Sequence, residues 1–153
     1  MAYVPDAGHS RLIELCQADP EVTTVPLTSE EQGIGLAAGA WLGGERSVLL
    51  MQSSGVGNCI NALTLASNCG FPLLMVVTMR GEWAEFNPWQ IPMGQATQEV
   101  LRLSGVRTFR LEQAQDAQAT LDAAAGLAFD GYAMVAVLIS QRLLGAKSFA
   151  GAK

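Results

Sequence analysis

Leu73-Leu74-Met75-Val76-Val77-Thr78 is a run of six residues with no charge and a single hydroxyl. It is preceded by Gly70 and Pro72 and followed by Arg80-Gly81. A segment that short and that apolar, bounded by turn residues, reads as a strand buried on both faces. The same kind of segment recurs on either side of it. Ser47 to Met51 lies before it, and Ala133 to Ile139 lies near the end of the chain. Tyr3-Val4, Thr23 to Leu27 and Val106 to Arg110 are shorter candidates. Between them the apolar spacing turns helical. Ser10 to Asp19 carries Leu12, Ile13 and Cys16 on one face. A second helix starts at Ser29, a residue able to cap it, and stops at Gly43-Gly44. Further helices are expected from Asn58 to about Asn68, from Gln95 to Leu103 and from Gln113 to Phe129. Arg80 to Met93 reads as a long loop with Trp83, Phe86 and Trp89. Apolar strands alternating with helices predict a three-layer α/β domain whose mostly parallel sheet is covered on both faces.

That domain is expected to occupy residues 1–145, with 146–153 as a polar, small-residue tail. A parallel α/β domain seldom opens on a stub of strand, so a first covering helix is expected to be missing from the start. The length of 153 residues suits one domain. Hydrophobic residues make up 50% and charged residues 15%. That balance excludes disorder and predicts apolar surface in need of a partner. The net charge is -5, and nine Lys and Arg are scattered along the chain. No basic stripe is available to neutralise phosphates, which argues against nucleic-acid binding. No apolar run reaches the length of a membrane span. Cys16, Cys59 and Cys69 show no framework spacing and read as small buried residues of a cytoplasmic protein.

Ligands of such sheets bind outside the carboxyl ends of the strands. Four loops meet that condition: 5–9, 28–31, 52–58 and 78–93. Gly55-Val56-Gly57-Asn58 follows a strand and opens a helix, where glycines allow close backbone approach. The dinucleotide fingerprint fails because position 60 is Ile, and no Gly-Lys-Ser/Thr follows to make a P-loop. A tight strand-to-helix turn explains the loop equally well. Glu30 and Glu31 stand at a helix start, where the dipole alone favours acidic side chains.

Three motifs in order add a resemblance. Leu27-Thr28-Ser29-Glu30-Glu31-Gln32-Gly33-Ile34-Gly35-Leu36-Ala37-Ala38-Gly39 resembles the glutamate helix in the pyrimidine domain of thiamine-diphosphate decarboxylases. Leu50-Met51-Gln52-Ser53-Ser54-Gly55-Val56-Gly57-Asn58 resembles the next loop of that domain. Met79-Arg80-Gly81 and Gln90-Ile91-Pro92-Met93-Gly94 also match, and Val4-Pro5-Asp6 resembles the first strand-to-helix turn. The likeness is greatest to phosphonopyruvate decarboxylases and to alpha subunits of sulfopyruvate decarboxylase, and it spans nearly the whole chain.

The resemblance implies a cofactor, thiamine diphosphate, and a role for each matching residue. Glu30 falls on the family glutamate that hydrogen-bonds N1′ of the aminopyrimidine and favours the 4′-imino tautomer, which acts as a base on C2. Glu31 is out of register and reads as a solvated charge. Gln52 is expected to face cofactor or substrate, and Gly55, Gly57 and Asn58 to shape the floor under the pyrimidine. Arg80 is a candidate for the second anionic group of a small 2-oxo acid, since a guanidinium suits sulfonate or phosphonate oxygens. His9, the sole histidine, lies in the first loop and is a further substrate candidate. Such enzymes hold Mg²⁺ and the diphosphate through a Gly-Asp-Gly segment and a later Asn in a second domain. Nothing here matches that segment, so those ligands are expected on a separate beta subunit. The implied function is the alpha subunit of a 2-oxo acid decarboxylase of the sulfopyruvate or phosphonopyruvate type. The alternatives are a non-catalytic subunit that keeps the fold, and a carboligase subunit of the acetolactate-synthase type.

Overall fold

The computed structural model describes residues 1–145; the tail expected at 146–153 lies outside the described residues. The strands are β1 (Ala2–Tyr3), β2 (Val25–Pro26), β3 (Val48–Gln52), β4 (Leu73–Thr78), β5 (Arg107–Leu111) and β6 (Met134–Ile139). The helices are α1 (Ser10–Ala18), α2 (Glu30–Leu42), α3 (Ser53–Cys59), α4 (Leu63–Cys69), α5 (Ile91–Leu103), α6 (Ala117–Phe129) and α7 (Gln141–Leu144). Every strand pairing is parallel, in the order β2-β1-β3-β4-β6-β5. Pro26 sits on the edge strand β2, where its missing N–H costs the ladder nothing.

Alternation along β4 explains why the run at 73–78 is apolar throughout. Leu73, Met75 and Val77 point to one face, where Ile34, Ala37, Val56, Cys59, Leu63 and Leu101 of α2 to α5 cover them. Leu74 and Val76 point to the other face. There Leu74 packs with Ala124 and Ala128 of α6, and Val76 with Ile13 of α1. All six residues are buried. At about 1.5–3 kcal/mol for each large apolar side chain, this strand anchors both layers. The expected three-layer architecture is therefore present.

Local differences from the sequence expectation have physical causes. The segment Gly55-Val56-Gly57 is not a turn but lies inside α3, which begins directly at Ser53. That helix stops after Cys59, and α4 restarts at Leu63, so the single helix expected from 58 to 68 is two short ones. The long loop ends early, because Pro88–Gln90 forms a 3-10 turn and α5 starts at Ile91. Pro at position 92 is tolerated there because first-turn N–H groups have no helical acceptor.

β1 lies between β2 and β3. The chain leaves β1 to one side and returns on the other, so β1 and β3 flank a topological switch point. The crevice above their carboxyl ends is the expected place for a ligand.

Candidate active site

Glu30 is the first residue of α2, following Ser29 in extended conformation. The Ser29 hydroxyl does not cap the backbone; it donates to the carboxylate of Glu31. Gln32 reaches back instead, accepting from the N–H and hydroxyl of Thr28 at 3.2 and 3.0 Å. Glu31 is exposed, and its hydroxyl partner lowers its pKa. Glu30 points inward and is only 9% exposed.

The Glu30 carboxylate rests on α3. Its Oε2 accepts from Asn58 Nδ2 at 2.9 Å. Its Oε1 accepts no hydrogen bond among the described residues. A Cβ at position 55 would lie 2.3 Å from Oε1, so only glycine leaves room for the carboxylate there. Gly57 sits under Met93, whose Sδ would be 3.2 Å from an added Cβ. Cys59 is buried nearby, and burial together with the charges of Glu30 and Glu31 pushes its thiol up to about 12. It stays protonated and behaves as an apolar residue.

A second cluster occupies the switch point. Asp6, just beyond β1, accepts from Gln52 Nε2 at 2.8 Å, from the Gly8 N–H at 2.9 Å and from the Thr78 hydroxyl at 2.8 Å. Gln52 Oε1 in turn accepts from the Ser54 hydroxyl at 2.9 Å. Asp6 thus joins the ends of β1, β3 and β4. The sequence placed Asp6 in the first strand-to-helix turn but gave it no role, although it is the only acidic residue in that loop.

His9 departs from expectation. It does not face a substrate cleft but is 1% exposed, packed against the interior strands β3 and β4. Its Nε2 lies 3.3 Å from the Met51 carbonyl and 3.2 Å from the Val76 carbonyl. Burial lowers its pKa from the ordinary 6.5, an effect that the nearby Asp6 charge partly opposes. Its place is structural, tying α1 to β3 and β4.

Arg80, just beyond β4, is also buried. Its Nε and Nη2 donate to Glu85 at 2.7 and 2.6 Å, and its guanidinium lies over the Phe86 ring. Glu85 further accepts from the N–H groups of Gly81 and Asn87 and from Gln141 Nε2. The Arg80 bonds hold its pKa down to about 2. Gln141 Oε1 accepts from the N–H groups of Glu82 and Trp83, which fixes the loop to the end of β6. Arg80 also lines a cavity of about 320 Å³ together with Asp6, Gly8, Arg11, Thr78 and Gln141. Glu85 and Gln141 carried no signal in the sequence beyond following strand ends. Of the aromatic loop residues, Trp83 stacks under Arg142 and Trp89 is 85% exposed.

Glycine again permits the close packing beneath this loop. A Cβ on Gly94 would lie 1.8 Å from the Arg80 carbonyl oxygen, so α5 touches the backbone at the end of β4. The Ser53 hydroxyl accepts from the Arg80 N–H at 3.1 Å, and its carbonyl accepts from the Thr97 hydroxyl at 3.3 Å. The start of α3, the end of β4 and α5 therefore form one joint.

Among the described residues, no group of three His, Cys, Asp or Glu is placed to hold a metal ion, and no helix is long and apolar enough to cross a membrane.

No protein-family model matches the chain. The alpha subunit of sulfopyruvate decarboxylase from Methanothermobacter thermautotrophicus is 44% identical over 101 residues, which are 65% of this chain and 61% of that subunit. Its counterpart from Methanococcus maripaludis is 35% identical over 137 residues, 89% of this chain and 82% of that subunit. The chain thus spans between about three-fifths and four-fifths of those subunits. In fold it is similar to a putative thiamin diphosphate-dependent enzyme from Mycobacterium smegmatis, with a TM-score of 0.63 at 17% identity. That likeness covers 99% of this chain and 30% of the other. By sequence similarity over most of its length, the chain belongs to the family of sulfopyruvate decarboxylase alpha subunits.

Proposed function

We propose that Glu30 activates thiamine diphosphate in a 2-oxo acid decarboxylase whose site is completed by a separate beta subunit. One observation carries the reading. Glu30 is a nearly buried carboxylate, seated over a glycine it alone requires, with one oxygen that accepts no hydrogen bond among the described residues. An acceptor with unused capacity fits an N–H donor such as a protonated aminopyrimidine nitrogen. Asn58 steers the carboxylate through Oε2 and leaves Oε1 for the ligand. Gly55 makes room for the Glu30 carboxylate, and Gly57 lets Met93 pack close to α3.

When bound, thiamine diphosphate supplies the nucleophilic carbon and the electron sink for loss of CO₂. The remaining work falls to side chains of this chain. Glu30 holds and releases a proton at its free oxygen. Gln52, fixed by Asp6 and Ser54, orients polar groups at the crevice. Arg80 offers a cationic group to the far end of a small acidic 2-oxo acid. Mg²⁺ and the diphosphate are assigned to the beta subunit. The compartment proposed is the cytoplasm, which suits three unpaired cysteines. The relatives matched are named decarboxylases, so the carboligase and non-catalytic readings are set aside.

The test is Glu30→Gln in the complex with the partner subunit. Decarboxylation is expected to fall by about 100-fold or more while the subunits still assemble. Near-normal turnover would sink the assigned role.

A further inference from the structure

We propose that Glu85 is a specificity-determining residue, which tunes Arg80 to accept a singly charged acidic group and to reject a doubly charged one. The inference rests on Arg80 meeting the substrate, as in the function just proposed.

A guanidinium binds a tetrahedral anion best through two parallel N–H bonds. In Arg80 the edge formed by Nε and Nη2 is taken by Glu85. The remaining nitrogen, Nη1, makes no hydrogen bond among the described residues. A ligand therefore meets only the outer edge of the guanidinium, formed by Nη1 and the second N–H of Nη2. It also meets a pair with no net charge, because the Glu85 carboxylate stays ionised beside the guanidinium. Three backbone or amide donors hold Glu85 in place, from Gly81, Asn87 and Gln141, so it does not swing away to make room. The other charged groups around the cavity add little positive potential. Asp6 lines the same cavity, and Arg11, which also lines it, is paired with Glu14. Glu82 on the same loop is paired with Arg110. A sulfonate carries a single charge and tolerates this field. A phosphonate has a second ionisation, which a sulfonate lacks, and carries close to two charges once it is complete. Its second charge meets no net positive charge to offset it and is repelled by the Glu85 and Asp6 carboxylates.

Sulfopyruvate and phosphonopyruvate differ in this one group and make the direct probes. Steady-state kinetics of the complex with its partner subunit should give a kcat/KM for sulfopyruvate at least about tenfold above that for phosphonopyruvate near neutral pH. Most of the difference should lie in KM. The Glu85→Gln variant should shrink the ratio several-fold by lowering KM for phosphonopyruvate relative to sulfopyruvate. The unsubstituted complex supplies a second reading that needs no variant. Between about pH 6 and about pH 8, KM for phosphonopyruvate should climb relative to that for sulfopyruvate, as the second ionisation proceeds. Equal handling of the two substrates, a ratio unmoved in a folded Glu85→Gln complex, or parallel pH profiles would each overturn the proposal. An Arg80→Lys change that leaves both KM values untouched would instead remove the substrate role of Arg80. Absence of turnover with every 2-oxo acid would strike the decarboxylase reading itself.

Discussion

Glu30 and Glu85 are both glutamates shielded from water beside the carboxyl ends of the strands, and they differ in how much of their bonding capacity the protein uses. A carboxylate offers about four acceptor sites. Glu85 receives five donated hydrogen bonds, two of them from a guanidinium. Glu30 receives one, from Asn58. The first is spent on holding a loop. The second keeps an oxygen in reserve at a place where a ligand can reach it. Burial alone does not distinguish the two carboxylates; the count of donors does.

That contrast can be broken in order of expected effect. Replacing Glu85 by Ala strands Arg80 beneath the loop without its partner. The pair lies just under the surface, so the low end of the range for buried pairs applies, and a loss of about 3 kcal/mol in unfolding free energy is expected. Denaturant titration measures it, and a loss below about 1 kcal/mol would mean the loop is not held this way. Gly55→Ala should leave stability less affected but push the Glu30 carboxylate off its seat. Turnover of the assembled complex should fall by about 100-fold, since small displacements of catalytic groups carry penalties of that size. Normal turnover in that variant would show that Glu30 does not work from this position.

The smallest effect is expected from acid. His9 is held neutral in the fold, so protonation favours the unfolded chain. Its contribution is present above the ordinary value of 6.5 and erodes as pH falls below it. Glu85, held down to about 2, contributes above its ordinary value of 4.5 and loses that contribution as pH falls toward 2. Thermal unfolding scanned downward in pH should therefore weaken in two windows. His9→Asn should flatten the upper one and leave the lower one in place. A scan with a single transition unaffected by His9→Asn would contradict the buried, neutral histidine.

The sheet was legible because its central strands are apolar on both faces, a pattern that only a doubly covered parallel sheet explains. Leu73–Thr78 has the bounds its composition suggested. Glu30 was legible through its motif rather than its chemistry, because an acidic residue at a helix start has an ordinary explanation. The helical state of 53–59 was not legible. Two glycines and two serines look like a turn, and they fold as helix because α2 and α5 pack against them on either side. The roles of Asp6 and Gln141 were hidden for a different reason. Their meaning comes from partners remote along the chain, such as Thr78 for Asp6 and Glu82 for Gln141. His9 misled because sequence gives its loop but not the direction of its ring.

The order β2-β1-β3-β4-β6-β5 also bears on how the chain is made. β6 slots between β4 and β5, and it is the last of the described strands to leave the ribosome. Until residues 134–139 emerge, the fully buried strand β4 has one unpaired edge, with a gap beside it that β5 cannot close. Nascent chains halted between β5 and β6 should therefore be the species most prone to aggregate, and they would call most heavily on chaperones.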